Sequence, residues 1–215
     1  MTDTNHMKYY DRVLNNPLLS ADFLRALLDA EHYHRDQIRK STEIPYIGHL
    51  LGVCSLVIEA GGTEAESIAA LLHDAAEDAG GKPVLDAIRQ NYGPVVARIV
   101  GNCSDAFPEP GAEKEAWLLR KERYIGHLRT VDASTMLVSA ADKLYNLRSI
   151  QSDHREIGDK VFERFSVPGD KRALTLWYYQ SLYDVYVDPS SPADTRRAKM
   201  TNELGPILDW FKTQH

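Results

Sequence analysis

Ile68-Ala69-Ala70-Leu71-Leu72-His73-Asp74-Ala75-Ala76-Glu77-Asp78 is the stretch that decides how this chain is read. Its first five residues are apolar nearly all round, the pattern of a helix in the middle of a core. Four ionisable side chains follow at once. At helical spacing His73 shares a face with Glu77 and Asp74 with Asp78, so two parallel pairs leave one turn. Burying such charges without partners costs several kcal/mol per ion, and a bound cation is the simplest partner.

Working outward, Thr63 and Glu66 form a capping-box pattern that opens this helix, and Gly80-Gly81 breaks it. Upstream, Ser20 is placed to cap a helix from Ala21 to about Gln37, with Leu24, Leu27, Leu28 and Ala30 at helical spacing. The loop Ser41 to Pro45 leads into a second helix, from about Tyr46 to Ala60, which stops at Gly61-Gly62. Downstream, Pro83 starts a helix to Tyr92, and Gly93-Pro94 ends it and begins another to about Ser104. Phe107 to Gly111 is a loop with two prolines. A charged helix is expected from about Glu113 to Arg129, then an apolar one capped by Asp132 that runs through Asp142 to about Ile150. Two or three further helices complete the chain, with Pro206 interrupting the last.

No segment alternates apolar and polar residues as a half-buried strand would. The expected fold is all-α: a single-domain bundle of about nine or ten helices, with a lead-in over 1–20, the main domain over 21–187 and a helical extension over 188–215 packed on it. A chain of 215 residues suits one sizeable core. Its net charge of −6 argues against general binding to nucleic acid or to an anionic membrane, both of which need a basic face. Residues Met1 to Tyr10 lack an apolar signal region, and no run approaches the roughly 20 apolar residues of a membrane span. The expected location is cytoplasmic. Cys54 and Cys103 both fall in apolar helical patterns and read as buried thiols rather than a disulfide. Tyr46-Ile47-Gly48-His49 recurs as Tyr124-Ile125-Gly126-His127, but the flanks differ, so His127 reads as a surface or packing histidine.

Three more residues bear on the central stretch. His49 has Val53, Leu56 and Ala60 as helical neighbours, which turns it toward the core, where a lone histidine is more often hydrogen-bonded than metallated. Asp142 lies within an apolar run, among Val138, Ala141 and Tyr145; a cap or an arginine ion pair explains it as well as a metal does. Asp105, beside a loop, reads as a helix-end residue. The joint pattern changes the balance, because imidazoles and carboxylates from separate core helices suit a divalent ion with open positions. The candidate ligands are His49, His73, Asp74 and Asp142.

That order, His49, then His73-Asp74, then Asp142, resembles the signature of the HD superfamily of metal-dependent phosphohydrolases. Four segments extend the likeness: Gln37-Ile38-Arg39-Lys40, Pro45-Tyr46-Ile47-Gly48-His49, Ala70-Leu71-Leu72-His73-Asp74 with Glu77-Asp78, and Ala141-Asp142-Lys143-Leu144-Tyr145-Asn146-Leu147-Arg148. Together they are similar to the hydrolase domain of Rel/SpoT proteins and to the stand-alone small alarmone hydrolases, over about residues 21 to 185. Leu50 stands where the family usually has proline, Ser104 where threonine is common, and the loop Ser41 to Ile44 differs, which bears on base preference.

The resemblance implies a 3′-pyrophosphohydrolase of guanosine or adenosine nucleotides, (p)ppGpp or (p)ppApp, with one Mn²⁺ ion and compatible with a homo-oligomer. An HD nucleotidase or phosphodiesterase acting on another nucleotide is the alternative. In the implied scheme Glu77 and Asp78 handle the attacking water, the competing reading being a solvated helix end. Lys143, Asn146 and Arg148 meet ribose or phosphates, although Arg148 reads almost equally as a plain surface residue. Arg39 stacks on the purine with Lys40 beside it, and Tyr46 completes the substrate contacts; a solvated helix terminus is the other reading of Arg39-Lys40. Trp177-Tyr178-Tyr179 is expected to pack the last helices, with one ring within reach of the substrate.

Overall fold

The computed structural model describes residues 18–105 and 115–214. Its regular structure is helical: α1 (Ala21–Tyr33), α2 (Ile47–Glu59), α3 (Glu64–Leu72), α4 (Ala75–Ala79), α5 (Lys82–Cys103), α6 (Trp117–Leu128), α7 (Ala133–Ile157), a 3-10 stretch (Gly158–Arg164), α8 (Lys171–Val187) and α9 (Ala198–Thr213). The all-α expectation holds, since β pairing among the described residues is limited to one antiparallel bridge, Ile38 with Pro45. Among those residues no helix is long and apolar enough to cross a membrane. Most of the lead-in, the loop Phe107 to Gly111 and the start of the helix expected from Glu113 lie outside the described residues.

Two helices form the centre. Every residue of α3 from Glu66 to Leu72 is buried, with α1, α2, α5 and α7 packed around it. The long α7 is buried along most of its first half and is flanked by α2, α5, α8 and α9. Caps set where both begin. Thr63 and Glu66 make the expected box, with the Glu66 N–H donating to Thr63 Oγ1 at 3.3 Å and the Thr63 N–H to Glu66 Oε2 at 2.7 Å. Asp132 Oδ1 accepts from the Thr135 N–H at 2.9 Å.

Several elements differ from their sequence expectation for identifiable reasons. Helix α1 ends a turn early, because Gln37 to Arg39 is drawn into the bridge, with Tyr46 N–H donating to Gln37 O and Arg39 N–H to Ile44 O, both at 2.9 Å. Its buried face is also rotated: Ala26 and Ala30 are buried, whereas Leu24 and Leu28 are 62% and 70% exposed. Small residues allow α1 to approach α3 closely. Helix α6 begins at Trp117, and α7 runs two turns past Ile150. At Gly93, by contrast, the expectation holds: its φ of 85° and ψ of 175° leave the helical region, so α5 is two helical segments joined by a kink, the second opening at Pro94. Pro206 does not interrupt α9; the neighbouring Leu204, Gly205, Ile207 and Leu208 are all buried, and that packing outweighs the lost N–H.

The chain before α9 returns to the start of α3. Arg196 forks onto Glu66, with Nη1 to Oε2 at 2.7 Å and Nη2 to Oε1 at 3.0 Å, while Asp194 Oδ2 accepts from Nη2 at 2.8 Å. Glu66 is only 2% exposed; burial pushes its carboxyl upward, but Arg196 and the cap bonds outweigh this and hold it below the usual range. Arg196→Met is therefore expected to cost about 2–4 kcal/mol in urea unfolding, because a buried carboxylate loses its cation. An unchanged midpoint would show that the pair adds nothing.

Candidate functional site

The central motif is not one continuous helix. Helix α3 ends at Leu72, His73 has φ −60° and ψ −31°, Asp74 has φ −94° and ψ −9°, and α4 resumes at Ala75. In a regular helix consecutive side chains diverge by about 100°. Here the two side chains nonetheless meet, with His73 Nε2 lying 3.1 Å from Asp74 Oδ2. One regular feature survives, since the Asp78 N–H donates to Asp74 O at 2.9 Å and keeps these two carboxylates on one side.

Helices α2 and α7 bring the remaining candidate ligands. His49 Nε2 lies 3.3 Å from His73 Nε2, 3.5 Å from Asp74 Oδ2 and 3.2 Å from Asp142 Oδ1, and His73 Nε2 lies 3.6 Å from Asp142 Oδ1. Ligand atoms about 2.1 Å from an ion stand about 3.0 Å apart at 90° and about 3.4 Å apart at 109°. The donor set therefore fits a divalent cation, with His49, His73 and Asp74 as its compact part and Asp142 reaching both imidazoles from α7. His73 Nδ1–H donates to Ala70 O at 2.8 Å, which turns Nε2 to the cluster. His49 Nδ1 has no partner among the described residues; the Tyr46 and Tyr145 rings, centred 5.2 and 5.3 Å away, hold that imidazole by packing.

The electrostatics of the cluster favour positive charge. Burial alone would lower the His73 imidazole pKa, but Asp74 and Asp142 outweigh it and hold it well above the ordinary range. Burial would likewise raise both carboxyls. His73 and His49 hold Asp74 well below the usual range, and Lys143 with the two histidines does the same for Asp142. Positive charge is thus stabilised where the four side chains meet, in the place a metal ion would take.

Helix α2 can approach α7 because of Gly52. A Cβ there would lie 1.9 Å from Tyr145 Cε2. Tyr145 also donates its hydroxyl hydrogen to Gly48 O at 3.2 Å, so its ring has little room beside His49. Gly52→Ala should destabilise the protein by about 1–3 kcal/mol through overpacking, despite a helix-propensity gain of about 1 kcal/mol. Metal titration should show weaker binding as His49 shifts; a stabilised variant with unaltered metal affinity would contradict this packing.

Other expected site residues surround the cluster. Tyr46 donates its hydroxyl hydrogen to Asp74 Oδ2 at 2.5 Å, and burial together with that carboxylate pushes its own pKa far up. Asp142 accepts from Lys143 Nζ at 2.5 Å and from Asn146 Nδ2 at 2.6 Å. Asn146 Oδ1 in turn accepts from Arg39 Nη2 at 3.3 Å, and Arg39 lies over the Tyr145 ring. Lys40 is exposed. Arg148 is turned away from this group and pairs with Glu203 on α9 at 2.5 Å. His127 is exposed and faces Asn102. Tyr178 and Tyr179 are buried, and the Trp177 and Tyr178 rings pack on Trp117 of α6.

Glu77 and Asp78 take different surroundings. Asp78 is exposed and accepts from Gln37 Nε2 at 2.8 Å. Glu77 Oε2 accepts from the Asp105 N–H at 3.1 Å; burial, with Asp105 and Asp74 adding, pushes its carboxyl up to about 7. Asp105 does sit at a helix end, but its side chain is 5% exposed and clamped by Arg120 Nη1 at 2.9 Å and Lys121 Nζ at 2.5 Å. Sequence reasoning passed over Lys121 and Arg120 because nothing local marks them; their partner lies across a loop. His34 was missed as well, and the only signal for it was its place three residues before Gln37.

With this geometry in hand, the HD domain family model matches residues 26–166. The chain belongs to the HD domain family. Among relatives of this HD domain chain is the guanosine-3′,5′-bis(diphosphate) 3′-pyrophosphohydrolase MESH1 of Mus musculus, 36% identical over 146 residues, which are 63% of this chain and 77% of that protein. A GTP pyrophosphokinase of Streptomyces antibioticus is 32% identical over 151 residues, 68% of this chain but 17% of that longer protein. Among solved structures, a metazoan orthologue of SpoT described as hydrolysing ppGpp superposes with a TM-score of 0.69 at 26% identity, covering 89% of this chain and 96% of the other. A protein of Listeria monocytogenes EGD-e gives a TM-score of 0.61 at 27% identity, covering 77% of this chain and 99% of its own.

Proposed function

We propose that this HD domain chain is a metal-dependent 3′-pyrophosphohydrolase of purine nucleotides bearing a 3′-pyrophosphate, (p)ppGpp and (p)ppApp. The observation that carries the reading is the convergence of His49, His73, Asp74 and Asp142, with Glu77 and Asp78 on the turn that follows. Relatives named for this activity support it. Two imidazoles with two carboxylates suit Mn²⁺ as the ion. When bound, such an ion polarises a phosphoryl oxygen and lowers the pKa of a coordinated water.

The chain's own residues supply the rest. Glu77 and Asp78 orient the attacking water and accept its proton; a carboxyl pushed up to about 7 is well matched to a base working near neutrality. Water oxygen bonds to the phosphorus next to the ribose, the bond from that phosphorus to the 3′-oxygen breaks, and the 3′-oxygen leaves with a proton. Lys143 and Asn146, already gathered at Asp142, meet the pyrophosphate and ribose of a substrate that the net negative chain otherwise repels. Arg39 stacks on the purine, and one of its buried guanidinium nitrogens is without a partner among the described residues. Tyr46 and Lys40 line the same approach, and Arg148 joins only by releasing Glu203.

Parallel incubations with Mn²⁺ and ppGpp, ppApp or nucleoside monophosphates test this reading. Pyrophosphate release from either alarmone supports it. Orthophosphate from the monophosphates, with no pyrophosphate from either alarmone, would replace it with a nucleotidase.

A further inference from the structure

One buried histidine has no part in the scheme above. His34 lies just past α1, is 3% exposed, and stacks on Tyr46 with ring centroids 5.1 Å apart and planes at 28°. Its Nδ1 is 2.6 Å from Gln37 Oε1, and Gln37 Nε2 donates to Asp78 Oδ2 at 2.8 Å. A carboxylate only accepts hydrogen bonds, so the Gln37 NH₂ group faces Asp78 and the Gln37 carbonyl oxygen faces His34. The ring nitrogen facing that oxygen, Nδ1, therefore carries the hydrogen. Nε2 is left buried with no partner among the described residues, an arrangement that asks for an explanation in a native protein.

We propose that His34 is a positioning residue which, through Gln37, sets the orientation of the Asp78 carboxylate beside the metal cluster. The inference rests on the assignment of Asp78 to the attacking water. Asp78 needs such a tether, because it is exposed on a helix of five residues, and an exposed side chain keeps its rotamer freedom unless something holds it. Gln37 is a suitable intermediary. Its N–H donates to His34 O at 3.0 Å and its carbonyl accepts from the Tyr46 N–H at 2.9 Å, so its backbone is fixed from both sides and only the amide remains to be aimed. The same imidazole that aims it lies flat on Tyr46, whose hydroxyl holds Asp74. One buried ring thus braces a candidate metal ligand by packing and the water-handling carboxylate by hydrogen bonding.

Two substitutions separate those contributions. His34→Phe keeps a ring on Tyr46 and removes the donor, whereas His34→Asn returns an amide N–H close to the place of Nδ1–H. The expected result is a fall in kcat of roughly ten- to hundredfold for His34→Phe, as for a catalytic group held out of place, with KM and Mn²⁺ affinity unchanged. His34→Asn should recover most of that loss, and circular dichroism melts should show both variants folded. In an Asp78→Ala background, His34→Phe should lower kcat no further. Equal impairment of folded His34→Phe and His34→Asn, or the same loss with and without Asp78, would overturn the proposal in favour of plain packing. Full kcat in His34→Phe beside a crippled Asp78→Ala overturns the positioning role alone. Wild-type kcat in Asp78→Ala overturns the Asp78 assignment itself and the positioning role with it.

Discussion

Replacing Asp142 by asparagine is expected to reduce pyrophosphate release from ppGpp by about a thousandfold or more. Asp142 supplies the oxygen from α7 that approaches both imidazoles, at 3.2 and 3.6 Å. A bound divalent ion contributes several kcal/mol of transition-state charge stabilisation, and each 1.36 kcal/mol is tenfold in rate, so loss of the ion amounts to about three orders of magnitude. Asparagine is preferable to alanine for this test. Asp142 also neutralises Lys143, whose side chain is 15% exposed, and truncation would leave that ammonium with nothing in its place. Steady-state rates at raised Mn²⁺, with calorimetric titration of the ion, check the expectation. Normal turnover with normal metal affinity would remove Asp142 from the ligand set.

Glu77→Gln comes next in size, with kcat expected to fall by about 10²–10⁴-fold, the usual contribution of a general base. KM and Mn²⁺ affinity should hold, because the glutamine side chain still accepts from the Asp105 N–H and lies outside the four-residue cluster. A loss shared between kcat and metal affinity would instead assign Glu77 to the ion. Retained kcat would move the proton-accepting role to Asp78 alone.

The helical fold was legible because its signals are local. The Thr63–Glu66 capping box, the Asp132 cap and the glycine at 93 each act within a few residues, and each appears in the structure where the sequence pattern put it. His49, His73, Asp74 and Asp142 stood out for a related reason, as polar groups on otherwise apolar helical faces, and the fold draws their donor atoms to within a few ångström of one another.

What was not legible depends on contacts between distant segments. The spacing of Leu24 and Leu28 suggested a buried stripe, but α1 meets α3 through Ala26 and Ala30, since alanine permits the closer approach. The helix break at His73–Asp74 has no glycine or proline to announce it. The Asp105 clamp with Arg120 and Lys121, and the His34–Gln37–Asp78 chain, join residues across loops and therefore leave no periodic trace. Arg148 sits among motif residues in sequence but six positions beyond Asp142 on α7, and that rotation gives it to Glu203.

Product analysis tests the central claim most directly. The purified full chain is incubated with Mn²⁺ and ppGpp, and phosphorus NMR follows the products over time, with and without chelator. The account predicts GDP and pyrophosphate in equal amounts, without an orthophosphate phase, and loss of both signals when the ion is removed. Stepwise orthophosphate release, or turnover that persists in chelator, would contradict it.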